Sequence, residues 1–182
     1  MVFCRVLGML PLYVRSRCVG VVVDEELPEE CRKVQRYLAN NGIESKVRIL
    51  ATSTRTAEEA ALALHCSPAQ IIKSIIFRTK GSDRPVLVLT CGDRRVSVKK
   101  MASLIGEKIG RADAHFVQSK TGFAVGGVPP FAHSEQPVVV IDNSVQRFER
   151  VWASAGTAHS MFEIATEALI RLAGGPVADV AG

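Results

Sequence analysis

Ile71-Ile72-Lys73-Ser74-Ile75-Ile76-Phe77 is the stretch that decides how this chain folds. It is β-branched and aromatic, runs on to Thr79, and leads through a Gly81-Ser82-Asp83 turn into a second apolar run, Val86 to Cys91. That pattern predicts a β-hairpin. With a two-residue period, Ile71, Lys73, Ile75 and Phe77 share one face and Ile72, Ser74 and Ile76 the other, so both faces are expected to be covered. An ammonium in such a strand is costly to bury. It has to be paired, reach an edge along the sheet, or point into a polar cleft. The edge lysine is the bland alternative; the functional one is a fixed cation for a substrate carbonyl, carboxylate or phosphate.

Working outward, Leu27 onward reads as a helix, with Pro28 at a first-turn position, Glu29 and Glu30 at the positive end of the dipole, and Cys31, Val34, Tyr37 and Leu38 at helical spacing. Asn40, Asn41 and Gly42 stop it, and Ile43 to Leu50 is expected as a strand. Thr56-Ala57-Glu58-Glu59 is a capping box for a helix to about His65; Ser67-Pro68-Ala69-Gln70 starts a single further turn. Beyond the hairpin, helices are predicted near Val98 to Glu107 and from Ala114 to Lys120, capped by Asp113. Strands follow at Val138 to Asp142, Val151 to Ser154 and Met161 to Ala165, then a helix from Glu167 to Ala173 ended by Gly174-Gly175-Pro176. Hairpins beside crossovers favour an α/β fold of the α+β-like kind, a mixed, largely antiparallel sheet flanked by helices.

The 182 residues, 47% hydrophobic and 23% charged, fit one domain able to bury its own core. The apolar runs, such as Val19 to Val23 and Val86 to Leu89, fall far short of the ~20 residues that cross a bilayer. Residues 1–24 have a faint signal-peptide look, but Arg5 comes early and Arg15 and Arg17 interrupt the apolar region, so they are expected to be an N-terminal extension of a cytoplasmic protein. Residues 25–182 are expected to form the domain. Cys4, Cys18, Cys31, Cys66 and Cys91 are odd in number and form no CxxC pair, which points to reduced thiols. His65, His115, His133 and His159 are scattered, so no metal is expected, and no cofactor. Net charge is +5, and from Arg94 to Arg111 six basic residues, including Arg95, Lys99 and Lys100, stand against Glu107 alone. Such a run is a solvated face or, with other support, a phosphate-backbone contact.

The other feature is Thr121-Gly122-Phe123-Ala124-Val125-Gly126-Gly127-Val128-Pro129-Pro130-Phe131-Ala132-His133. Three glycines and two prolines forbid a helix or a central strand and predict a stiff, shaped loop whose backbone N–H groups could line a binding wall or oxyanion site. A structural corner is the alternative. The spacing matches neither a dinucleotide fingerprint nor a Walker loop. His133 is a candidate general base or a packing residue. No GxSxG is present and His65-Cys66 adjoins a helix end, which leaves no covalent nucleophile.

Thr56-Ala57-Glu58-Glu59-Ala60-Ala61, the Lys73 strand, Asp93-Arg94-Arg95-Val96, the loop from Thr121 to His133 and Ala155-Gly156-Thr157 occur in an order that resembles the YbaK/aminoacyl-tRNA synthetase-associated domain family, trans-acting relatives of the editing domain of bacterial prolyl-tRNA synthetases. The resemblance covers roughly Glu25 to Gly182. It implies the mixed sheet, and hydrolysis of the ester joining a wrong amino acid to the terminal adenosine of a mischarged tRNA. It also implies that Lys73 positions the substrate, with Gly126, Gly127 and secondarily His133 in the catalytic set. Phe123, Val128, Pro129 and Pro130 would bind the acyl group, and Arg94, Lys99 and Lys100 the tRNA. The partners implied are tRNA and a synthetase; oligomeric state is open. Because this chain has PPF-x-H rather than GGISP followed by lysine, the cysteinyl specificity of the latter members is not carried over; the leading expectation is a small mischarged amino acid such as alanine, serine or threonine. Ala132 stands where relatives often carry glycine, so a positive φ there would strain the turn. A tRNA- or synthetase-binding module without turnover is the competing class, and hydrolysis of a small non-tRNA acyl compound a third.

Overall fold

The computed structural model describes residues 27–182 apart from 53 and 55; the expected extension at 1–24, with Cys4 and Cys18, lies outside the described residues. The elements are α1 (Glu29–Asn40), β1 (Arg48–Ile49), α2 (Ala57–Leu64), β2 (Ile71–Thr79), β3 (Pro85–Cys91), α3 (Val98–Ile105), β4 (Ile109–Arg111), α4 (Ala114–Thr121), β5 (Val138–Asp142), β6 (Arg150–Ser154), β7 (Ser160–Ala165), α5 (Thr166–Ala173) and β8 (Val177–Ala178). The sheet has the order β1-β7-β6-β2-β3-β5-β8, with β4 also on β2. Four strand pairings are antiparallel and three parallel, so the mixed, mostly antiparallel sheet expected from the sequence is present.

Helices cover both faces. Alternation sends Ile72, Ile76, Leu87, Leu89 and Ile141 to the side where Val34 and Leu38 of α1, Phe116 of α4 and Leu169 of α5 are packed. The opposite side splits into two smaller clusters. Ile71, Trp152 and Met161 meet the alanines of α2, while Phe77, Val88 and Val140 meet Met101 of α3. Lys73 belongs to that second face, between the two clusters.

Both capping boxes form, at Thr56 with Glu59 and at Ser67 with Gln70, and hold the start of α2 and a 3-10 turn ahead of β2. The strand expected from Ile43 to Leu50 shrinks to two residues for a specific reason. The amide of Gln35 on α1 donates to Ser45 O at 2.9 Å and accepts from Val47 N at 2.8 Å, which supplies those backbone groups with partners a ladder would otherwise provide. β4 and β8 were not foreseen; each is very short and pairs with a strand distant in sequence.

One topological detail positions the site. β3 pairs with one edge of β2 throughout, whereas the other edge is shared: β6 pairs only with Ile71 and Ile72, and β4 only with Phe77, Arg78 and Thr79. Along that edge Lys73 to Ile76 have no strand neighbour. The sheet is split there, beside the turn that joins β6 to β7.

Candidate active site

Lys73 starts from a half-buried position across from Thr90, whose hydroxyl is buried without a partner, as is that of Ser74. Its Nζ donates to Gly92 O at 2.9 Å and to Arg94 O. An ammonium has three N–H donors, so one remains for a substrate oxygen. Burial pushes the Lys73 pKa below its ordinary value, with Glu58 and Asp93 opposing that shift. The receiving turn is held close: a Cβ at Gly92 would lie 2.2 Å from Pro68 O and 2.5 Å from Ala57 Cβ, a separation only glycine allows. The ammonium therefore sits beside the first turn of α2, anchored on the chain's own carbonyls.

The loop is rigid for local reasons. Gly122, at φ +80°, ends α4, and the Thr121 hydroxyl, buried, donates to Val117 O at 2.7 Å and accepts from Phe123 N at 3.1 Å. Phe123 is fully buried and Val128 nearly so, both in the cluster under α1; Pro129 and Pro130 are buried too. These four are the residues expected at the acyl group; of them Phe123 and Val128 pack into the core cluster. The exposed part is Ala124, Val125 and Gly126, with Val125 62% exposed, a candidate contact missed because a loop has no periodicity to mark it. Gly127 N–H donates to Ala124 O at 2.9 Å, so it is already engaged, whereas Gly126, at φ +89°, lies in the open tip. A Cβ on Gly127 would fall 2.6 Å from Gly156 O, and one on Gly156 would fall 2.8 Å from the backbone of Glu30. Glycine at both positions lets the loop, the β6–β7 turn and α1 meet backbone to backbone.

A chain of contacts joins the loop to the lysine side of the sheet. Gly126 faces Ala158; Ala158 O accepts both Thr54 N at 2.8 Å and the Thr54 hydroxyl at 2.9 Å; Thr54 leads into α2, whose Ala57 abuts Gly92. These contacts run from the loop tip through the β6–β7 turn and the start of α2 to the Gly92 turn that receives Lys73.

His133 is held within the loop. Its Nε2 bonds Pro129 O at 2.8 Å, the ring stands edge-on to Phe123 at 6.2 Å, and burial depresses its pKa with Lys33 adding to the effect and the Pro129 bond opposing it. A histidine held neutral by burial stabilises the fold fully above its unfolded pKa of about 6.5. That contribution is lost as pH falls through the depressed folded value. Thermal melts are accordingly expected to show Tm dropping on acidification, and His133→Gln, which keeps an N–H donor for Pro129, to flatten that dependence.

Ala132 has φ +64°, so the strain anticipated from its sequence position is present. An L-residue in this region costs about 1–2 kcal/mol, partly offset by the greater unfolded entropy of glycine. Ala132→Gly is expected to stabilise the protein by about 1 kcal/mol, a rise of roughly 2–4 °C in Tm by calorimetry.

Arg94, Arg95 and Lys99 are exposed next to the Lys73 turn. Lys100 is not available in the same way, because its Nζ is bonded to Asp179 at 2.9 Å and to Ala181 O at 2.6 Å. Among the described residues no cluster of three or more His, Cys, Asp or Glu could hold a metal ion, and no helix is long and apolar enough to cross a membrane.

Comparison with known proteins matches residues 51–172 to the Aminoacyl-tRNA editing domain. The uncharacterized protein YwhH of Bacillus subtilis is 31% identical over 138 residues, 76% of this chain and 87% of its own. The proline–tRNA ligase of Thermoanaerobacter sp. is 29% identical over 103 residues, 55% of this chain but only 18% of the ligase. A crystal structure described as that of a "putative trans-editing enzyme for prolyl tRNA synthetase" superposes with a TM-score of 0.81 at 35% identity, covering 86% of this chain and 99% of that one.

Proposed function

The chain belongs to the aminoacyl-tRNA editing domain family, and from that premise we propose that it hydrolyses, in trans, the ester of a mischarged small amino acid on tRNA. The observation that carries the proposal is the Lys73 ammonium, fixed by two main-chain carbonyls with one N–H left over; from its turn, contacts lead through the start of α2 and the β6–β7 turn to the Gly126 tip. Supporting it, the protein of like length and fold described above is named for trans-editing, and the matching part of the proline–tRNA ligase is a small fraction of that enzyme.

The chemistry asks little of side chains. Water adds to the ester carbonyl carbon and its electrons move onto oxygen. Lys73 and the Gly126 N–H stabilise that oxyanion; the C–O bond to ribose then breaks, and the proton given up by water goes to the departing ribose oxygen. The products are a free amino acid and intact tRNA. A preorganised cation and main-chain donor supply the transition-state stabilisation, and an ester needs neither metal nor covalent intermediate for this. His133 holds the loop that presents Gly126. Arg94, Arg95 and Lys99 are placed to meet the phosphates of the acceptor end, with the protein acting in the cytoplasm, where a prolyl-tRNA synthetase is the natural source of the mischarged tRNA.

A small acyl group is the proposed substrate, supported by the small exposed residues Ala124 and Gly126 at the loop tip with Ala158 beside them. A panel of tRNAs charged with alanine, serine, threonine, cysteine and proline tests this. Release is expected to be fastest in the alanine, serine and threonine group; equal release of all five would overturn the proposed preference. A binding module without turnover is the second reading, favoured by the two N–H groups Lys73 already gives to its own chain. It predicts bound tRNA and no release from any member of the panel.

A further inference from the structure

Asp142 lies at the end of β5, far in sequence from Lys73, and is fully buried. Its carboxylate is saturated by the chain. One oxygen accepts Val180 N at 3.1 Å and Ala181 N at 3.0 Å; the other accepts Ser144 N at 3.2 Å and the Ser144 hydroxyl. A buried carboxylate with that many donors fixes whatever carries them.

What it fixes is the segment 180–182, which runs along the turn that holds the lysine. Ser97 N donates to Val180 O at 2.8 Å, Gly182 N donates to Arg95 O at 2.9 Å, and Val96 pairs with Ala181 as an antiparallel bridge. Carbonyls 92 and 94 of this turn receive Lys73, while carbonyl 95 is taken by Gly182. A second tether starts from the same place. Arg147, in the 3-10 turn that follows Asp142, grips Asp93 with both terminal nitrogens, at 3.1 and 2.8 Å, and anchors its own Nε on Ser144 O at 3.0 Å. Cys91 Sγ adds a contact to the same carbonyl at 3.3 Å.

We propose that Asp142, acting through Val180–Gly182 and through the Arg147–Asp93 pair, is a positioning residue for Lys73: it sets the turn whose carbonyls orient the ammonium. The catalytic consequence rests on the function proposed above, but the mechanical claim does not. Asp142→Asn puts an amide N–H2 where the carboxylate meets only donors, so one tether to the turn is lost. Arg147→Gln loses the two-point grip on Asp93. In either case the lysine is released from its carbonyls.

The test reads Lys73 directly. Wild type and variants are labelled briefly with an amine-acetylating reagent, and modification is followed at Lys73, Lys99 and Lys120 by mass spectrometry. Lys99 is exposed and serves as the rate reference; Lys120, paired with Glu135 at 2.8 Å on α4, reports any general loosening. Asp142→Asn is expected to raise the Lys73 rate relative to Lys99 by at least about fivefold with Lys120 unchanged. Arg147→Gln, at a half-exposed side chain, carries the same expectation if Asp142→Asn does not fold, and Arg147→Lys should restore protection in part. On misacylated tRNA the released lysine is expected to lower kcat by roughly tenfold with KM little changed. A Lys73 rate that rises no more than that of Lys120 overturns the proposal. Faster labelling in the variants of a protein whose wild type releases no amino acid leaves the positioning claim standing and removes the proposed function instead.

Discussion

Lys73→Ala is expected to slow amino acid release from a mischarged tRNA by about 10²–10³-fold, with tRNA affinity nearly unchanged. The magnitude is that of removing one preorganised donor from an oxyanion site, about 3–4 kcal/mol. Stability should fall by less, on the order of 1–2 kcal/mol, because the carbonyls of Gly92 and Arg94 lose a charged donor while the chain is relieved of a half-buried ammonium. Lys73→Met separates the two effects: it keeps an unbranched stem on the face shared with Ile71 and Ile75 and removes only the charge. Single-turnover release with both variants measures this, and a rate for either within about threefold of wild type would exclude the lysine from the chemistry.

Gly127→Ala is the second large expectation, and it acts by a different route. The added methyl would lie 2.6 Å from Gly156 O and 2.8 Å from Thr157 Cα, and both belong to backbone that cannot rotate out of the way. The loop or the β6–β7 turn has to move, so a loss of about 2–3 kcal/mol in stability is expected from the overpacking. Displacing the Gly126 tip by as little as ~1 Å is expected to cost about 10²-fold in kcat. Chemical denaturation and the same release assay read the two effects. Gly126→Ala is the useful contrast. Space is open there, the nearest atom being Ala158 Cβ at 3.7 Å, and only the φ of +89° resists the change, by about 1–2 kcal/mol. A Gly127→Ala protein as stable and active as wild type would mean the close approach of loop and turn does not matter.

The fold was legible where the information is local. Two-residue alternation in Ile71 to Phe77, a turn at Gly81 to Asp83 and two capping boxes gave the hairpin, α2 and the 3-10 turn nearly to the residue. What failed was set by partners distant in sequence. Gln35 takes the backbone of Ser45 and Val47, and nothing in Ile43 to Leu50 announces that. β4 and β8 exist only because β2 and β5 offer edges to them.

The site divides along the same line. Lys73 stood out as a charge in an apolar strand, and Ala132, through the family resemblance, as an alanine where relatives often carry glycine; both signals survive in the half-buried ammonium and the φ of +64°. Its partners were invisible because they are main-chain carbonyls, which every residue has. That Phe123 and Val128 pack into the core cluster was not legible, because apolar residues in a loop read alike whether they line a cleft or plug the core. Asp142 did leave a trace: Asp-Asn-Ser directly after Val-Val-Val-Ile reads as a strand ending in a side-chain-capped turn. Nothing in that trace foretold Val180 and Ala181.

The most direct trial of the central claim is single-turnover release of alanine from alanyl-tRNA, with the protein in excess and near neutral pH, alongside binding of the same tRNA. Release at least about 10²-fold above the uncatalysed hydrolysis of the ester, and its near-disappearance with Lys73→Met, is the predicted result. Binding of the tRNA with release at the uncatalysed rate would contradict it.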